Sequence, residues 1–160
     1  MNTRLKFSAV LFTALTAVMA TVSTASATPD AKPLLTNVRV GAHATYDRIV
    51  LDFTGPAPDG TAGDVVPELI ADGSGKHVDL AGTYFYQVRT WTAAAHDDNG
   101  NATYTGSRKF ETPSLSNVQA FAITGDFDGQ LTVGLGYRRA TWQSVTVLTN
   151  PTRVVIDIGV

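Results

Sequence analysis

From Asn37 to Ile158 apolar residues recur at every second position, and glycine, proline, asparagine and aspartate break the pattern at short intervals. Such a chain builds strands, because alternate side chains of a strand face opposite sides of a sheet. Asn37-Val38-Arg39-Val40 alternates, and after a turn at His43 to Tyr46 comes Arg48-Ile49-Val50-Leu51-Asp52-Phe53. That run places Ile49, Leu51 and Phe53 on one face and Arg48, Val50 and Asp52 on the other. Proline and glycine at Gly55 to Gly60 end it. Asp64 to Ile70, interrupted by Pro67, reads as an edge strand or a loop, and His77 to Leu80 resumes the alternation. Tyr84 to Trp91 is an aromatic strand, with Tyr84, Tyr86 and Val88 opposed to Phe85, Gln87, Arg89 and Trp91.

The C-terminal third is more regular. Val118 to Thr124, Gln130 to Tyr137, Ser144 to Val147 and Arg153 to Ile158 read as strands, separated by turns at Gly125 to Gly129 and Asn150-Pro151. Gly134 and Gly136 fall on the outward positions, where a bulge or the close approach of another backbone is expected. No stretch beyond residue 30 has a helical period. The expected fold class is all-β, a small sandwich or flattened barrel.

Before this region, Arg4 and Lys6 precede an apolar run from Phe7 to Ala20, followed by Ala25-Ser26-Ala27. Charge, a short apolar core and small residues at a cleavage point make a secretory signal peptide over 1–27. The run is shorter and richer in threonine than a membrane-spanning helix requires, so no span is expected after cleavage. Residues 28–35, with two prolines, are expected to be a flexible lead-in to a domain over 36–160. The chain has no cysteine. It therefore has no lipid-attachment site and is not expected to be a lipoprotein. It has no disulfides either, so its stability rests on its core.

Formal net charge is −2, and two of the 12 basic residues lie in the signal peptide with none of the 14 acids. The remaining domain is thus more acidic than the whole chain, and its basic residues do not cluster. Nucleic acid and anionic membrane surfaces are poor partners for it.

Candidate chemistry is thin. His43, His77 and His96 are far apart, so no zinc set or other cofactor site is expected. Asp97-Asp98-Asn99-Gly100-Asn101 spaces oxygen ligands as a calcium loop does, but Ala102 and Lys109 stand where glycine and glutamate belong. It sits in a long polar segment, Ala93 to Ser107, expected to be the most mobile part of the molecule. Ser74 lacks the second glycine of a nucleophile elbow. Asp126 and Asp128 imitate a carboxylate pair, yet flank a turn where acids commonly serve the backbone. Catalytic residues are not expected.

Two runs echo each other: Arg48-Ile49-Val50-Leu51-Asp52-Phe53 and Arg153-Val154-Val155-Ile156-Asp157-Ile158. In each, Arg and Asp share the face opposite the aliphatic one. Either they pair neighbouring strands, or they form a polar ligand surface repeated on two sheets. With Tyr46-Asp47 before the first copy, Asn150-Pro151-Thr152 before the second, and Val133-Gly134-Leu135-Gly136 between, residues 36–158 resemble an AMIN-like domain. The resemblance implies a β-sandwich of two related sheets. It also implies a cell-envelope role, since the AMIN domains of N-acetylmuramoyl-L-alanine amidases bind peptidoglycan. Asp47, Arg48, Asp52, Arg153 and Asp157 carry the motif and are expected to be structural.

Aromatic and arginine side chains are the candidates for binding: Tyr84, Tyr86, Arg89, Trp91, Arg138 and Trp142, with Arg139 beside the last two. Rings and guanidinium groups suit a sugar face or a peptide carboxylate, although for each ring a place in the core is the alternative. The expectation is a secreted, noncatalytic module at the cell wall, with a glycan or wall peptide as partner. A secreted protein-interaction domain and a small hydrolase are the alternatives.

Overall fold

A computed structural model describes residues 31–160, and the expected signal peptide lies outside them. The elements are β1 (Leu34–Ala42), β2 (Tyr46–Thr54), β3 (Gly60–Val66), β4 (Tyr84–Trp91), β5 (Lys109–Glu111), β6 (Val118–Phe127), β7 (Gln130–Tyr137), β8 (Gln143–Leu148) and β9 (Arg153–Gly159). They form two antiparallel sheets of order β1-β2-β9-β8 and β3-β4-β7-β6-β5. The all-β sandwich is as the alternation requires.

The core lies between the sheets. Ile49, Leu51 and Phe53 of β2 and Val154, Ile156 and Ile158 of β9 meet Tyr86 and Val88 of β4, Phe121 of β6, and Leu131, Val133 and Leu135 of β7. β1 begins at Leu34, and Leu35 is fully buried, so the ordered domain starts inside the expected lead-in.

The two echo strands are neighbours in one sheet. β2 and β9 pair antiparallel with Arg48 opposite Asp157 and Asp52 opposite Arg153. Running one copy of an Arg-to-Asp strand against another brings opposite charges face to face. Arg48 indeed grips Asp157 through two bonds of 2.8 Å. Asp52 turns instead to Arg39 of β1, at 2.7 Å. The polar surface is therefore one face of one sheet and is not repeated on two.

The five-stranded sheet is buried on its inner side and over part of its outer side. Residues 67–83 form a cover over its outer face, where Leu69 and Leu80 pack on Ala120 and Ala122, with Val78 and Phe85 alongside. The alternation at His77 to Leu80 serves this cover; the only pairing there is the bridge from Ile70 to His77. The outward glycines of β7 lie beneath it. A Cβ on Gly134 would strike Leu69, and one on Gly136 would strike the Ala81 carbonyl. A bulge or a close backbone approach was expected at these outward positions; the backbone approach is seen at Gly136, and the cover buries a face that was expected to point outward.

Ala93 to Ser107 also departs from expectation. Ala93, Ala94 and Ala95 are buried, as is Tyr104. The segment is tied down by Thr103 Oγ1 donating to the Leu35 carbonyl at 2.8 Å and by the Ala95 amide donating to Asp126 at 2.9 Å. Alanine is small enough to fill the end of the sandwich, which the polarity of its neighbours obscures. Asp97 uses its carboxylate on its own turn, accepting from the amides of Asn99 and Asn101 and from the Asn101 side chain.

Asp126 has little exposed surface and accepts from Ala95, from His96 Nδ1 at 3.0 Å and from Arg108 at 3.3 Å. Burial pushes its pKa up, but these donors outweigh burial and hold it below the usual carboxylate range. The hydrogen bonds from Arg39 hold Asp52 below that range too, against a smaller effect of burial. A carboxyl depressed in the folded state adds stability above its unfolded pKa of about 3.9 and loses it as pH falls through the folded value. The urea midpoint is therefore expected to fall steeply below about pH 4. Asp126→Asn should start lower at neutral pH and fall less on acidification; equal acid slopes in the two proteins would refute this.

Candidate functional site

The motif residue Asp47 occupies the inner face at the start of β2 and is fully buried. Its carboxylate accepts three backbone amides, from Ser116 at 3.0 Å, Asn117 at 2.6 Å and Val118 at 2.9 Å. These amides open β6, so one side chain of the four-stranded sheet fastens the five-stranded one. Asn117, also buried, carries the connection on. Its side-chain nitrogen donates to the carbonyls of Gly159 and Arg139, and its oxygen accepts from the amides of Arg138 and Arg139. Every polar atom of the Asn117 side chain is thus used to hold the crossover from β7 to β8.

That crossover delivers Trp142 onto the outer face of the four-stranded sheet. Gly159 donates its amide to the Trp142 carbonyl at 3.1 Å. A Cβ on Gly159 would come within 2.7 Å of the indole Nε1, so glycine there lets the ring lie on the strand. Tyr46 stands opposite Gly159 in the register. Its ring is 6.2 Å from that of Trp142, tilted at 58°, and 4.4 Å from the His43 ring, nearly parallel at 23°. The Arg48 guanidinium lies 5.0 Å from the Tyr46 ring centroid, a cation-π contact held in place by Asp157.

Trp142 keeps 51% of its surface exposed. Arg138 and Arg139 are exposed, and neither forms an ion pair among the described residues. Their backbones are nonetheless fixed by Asn117. The result is an aromatic corner of His43, Tyr46 and Trp142, with two uncommitted guanidinium groups on the adjoining loop.

The six binding candidates do not converge. Trp142 and Arg138 belong to this corner. Tyr86 is core at 6% exposure, and Tyr84, on the same inner face, packs 5.7 Å from Tyr137 at the rim. Arg89 and Trp91 occupy the outer face of the five-stranded sheet, away from Trp142. Of the motif residues, Asp47, Arg48, Asp52 and Asp157 form the contacts already described, and Arg153 donates to the Pro151 carbonyl at 3.2 Å. His43, Tyr46, Asn117 and Gly159 escaped the sequence reading as site residues. Tyr46 was legible only as the first residue of the Tyr-Asp-Arg motif.

The model of the AMIN-like domain matches residues 33–160. The chain belongs to the AMIN-like domain family. No curated protein and no solved structure matches it. Family membership makes this a module related to the cell envelope, and AMIN-like domains are typical of periplasmic and secreted proteins. No helix among the described residues is long and apolar enough to cross a membrane. The AMIN-like match begins at residue 33, in agreement with the start of β1 and the burial of Leu35.

Within this AMIN-like domain, His96 held by the half-buried Asp126 is the nearest approach to catalytic geometry. Acid and imidazole are two members of a hydrolytic triad. Among the described residues no hydroxyl is hydrogen-bonded to His96, and Asp126 also serves Ala95 and Arg108. Asp128, its expected partner, sits in the β6–β7 turn at a φ of 51°.

Proposed function

We propose that this AMIN-like domain is a secreted, noncatalytic module that binds peptidoglycan through the Tyr46–Trp142 corner. The observation that carries the reading is the half-exposed Trp142 ring set against Tyr46 and preceded, on the same crossover, by the exposed Arg138 and Arg139, neither of which forms an ion pair among the described residues. Rings offer a flat apolar surface to a sugar at low entropic cost. Arginine offers paired donors to a carboxylate, and peptidoglycan supplies both partners, sugar faces in its glycan strands and carboxylates in its stem peptides. Export through the 1–27 segment would place the domain where such a polymer lies.

Co-sedimentation of residues 28–160 with insoluble peptidoglycan over a range of salt tests this. Saturable binding is expected. Trp142→Ala should weaken it by about 2 kcal/mol, or roughly thirtyfold. Arg138→Ala with Arg139→Ala should weaken it less and flatten its salt dependence. A folded domain that stays in the supernatant at low salt would overturn the proposal. It would favour a protein partner instead, for which the exposed Val147 and Leu148 of β8, each at 37%, offer an apolar contact.

A further inference from the structure

The two ends of β7 carry complementary surfaces. The strand starts at Gln130, opposite Phe127 of β6, and ends at Tyr137, which leads directly into Arg138 and Arg139. It is eight residues long, so about 23 Å separates the β6–β7 turn from the Arg138–Trp142 crossover.

At the first end Phe127 is the most exposed large apolar side chain among the described residues, at 73%. The turn that presents it is firmly built. Asp128 and Gly129 have φ of 51° and 72°, and two central residues at positive φ match the twist of the flanking strands. The Gly129 carbonyl accepts the Ala93 amide at 3.0 Å, which ties the turn to the segment after β4. Asp128 is exposed and forms no ion pair among the described residues. Arg108, which reaches this end, is spent on Asp126 at 3.3 Å. The turn therefore offers a ring with a free carboxylate beside it.

The other end offers the reverse. Tyr46 and Trp142 meet at 58°, an open angle in which a third ring packs edge-to-face. Arg138 and Arg139 are exposed on the same crossover, without ion pairs among the described residues, and their amides are fixed by Asn117. One ring and one carboxylate thus face two rings and two guanidinium groups, and arginine–carboxylate bonds are the strong kind.

One molecule cannot bring these surfaces together, because they lie at opposite ends of one strand. They also lie on opposite faces. Phe127 shares the outer face of the five-stranded sheet with Gln130, whereas Trp142 rests against Tyr46 on the outer face of the four-stranded sheet. A two-fold pair making both contacts would need two molecules in the same space. The match is therefore heterologous, and a heterologous contact that does not close adds copies in an open row.

We infer that the Phe127–Asp128 turn docks into the Tyr46–Trp142 corner of a second copy of this chain, so that the domain associates head to tail. One turn against one corner is a small contact beside the roughly 800 Å² per partner of stable complexes, so the association is weak and depends on concentration. The inference stands apart from the peptidoglycan reading, and it makes self-association and wall binding compete for one corner.

Sedimentation velocity of residues 28–160 at up to about 1 mM protein tests it. The average sedimentation coefficient should rise with concentration without levelling at a dimer, and added salt should lower it. Phe127→Ala, or Arg138→Glu with Arg139→Glu, should each weaken association by about tenfold. All three residues are exposed, so neither variant disturbs the core. Mixed together, the two variants should form one-to-one pairs and nothing larger, because the first keeps its corner and the second its turn. A wild type that stays monomeric throughout, or a mixture that does not pair while the wild type associates, would overturn the inference. Phe127→Ala should co-sediment with peptidoglycan as the wild type does, so a monomeric wild type leaves the wall-binding reading standing.

Discussion

Asp47→Ala is expected to remove much of the stability of this domain, on the order of 4 kcal/mol. The carboxylate is fully buried and accepts the amides of Ser116, Asn117 and Val118. Alanine leaves those donors unmet, and each amide kept from water costs about 1–3 kcal/mol. Ser116 is exposed and can recover some of the loss from solvent. A small domain has only about 5–15 kcal/mol in total, and no disulfide here makes up the difference. Asp47→Asn keeps one acceptor oxygen and should lose about half as much. Urea denaturation of the three proteins measures this directly, and a shift below about 1 kcal/mol for alanine would contradict it. The same change should loosen the Arg138–Trp142 crossover, because Asn117 is held by one carboxylate oxygen of Asp47 and in turn holds that loop. Loss of wall binding in Asp47→Ala would then accompany loss of stability, unlike the expected behaviour of Trp142→Ala.

Gly136→Val is expected to cost a comparable amount, about 3–5 kcal/mol, for a different reason. Gly136 does not adopt positive φ, so what it supplies is space. Its outward side faces the Ala81 carbonyl, and a Cβ on Gly82 would come within 2.6 Å of the Gly136 Cα. Two glycines thus let two backbones touch. A valine forces the 81–83 segment outward, and with it Leu80 and Leu69, which are 5% and 0% exposed. Returning two buried leucines to water costs about 1.5–3 kcal/mol each. Hydrogen exchange should show lost protection at residues 69–83, while β2 and β9 stay protected until global unfolding. A valine variant with a normal midpoint and a protected cover would show that the segment yields cheaply.

Much of the fold was legible because strand alternation is a local property. Ile49, Leu51 and Phe53 alternate with Arg48, Val50 and Asp52 whatever the strand pairs with, and the first set is indeed the core. The Asp128-Gly129 turn is equally local, since few residue pairs accept positive φ in succession. The polar 93–107 segment misled because three adjacent alanines carry little hydropathic signal, although they fill the end of the sandwich. The covered glycines of β7 misled similarly: glycine marks a close approach without saying which segment approaches.

Strand alternation alone dictates a sandwich without helix among the described residues, the buried faces of its longest strands, and the Arg-Asp strands of the AMIN-like pattern. Period-two patterning and turn chemistry act over a few residues and need no partner to be read. Long-range packing is what lays the two Arg-Asp strands side by side, so that Arg48 grips Asp157. It also sets Tyr46 against Trp142 and puts Trp91 on the other sheet, across Gln130 from Phe127. Strand order and register come from closing long loops around a shared core. The buried Asp47–Asn117 connection and the glycines at 136 and 159 hold those closures in place, and the surfaces they create depend on residues far apart in the chain.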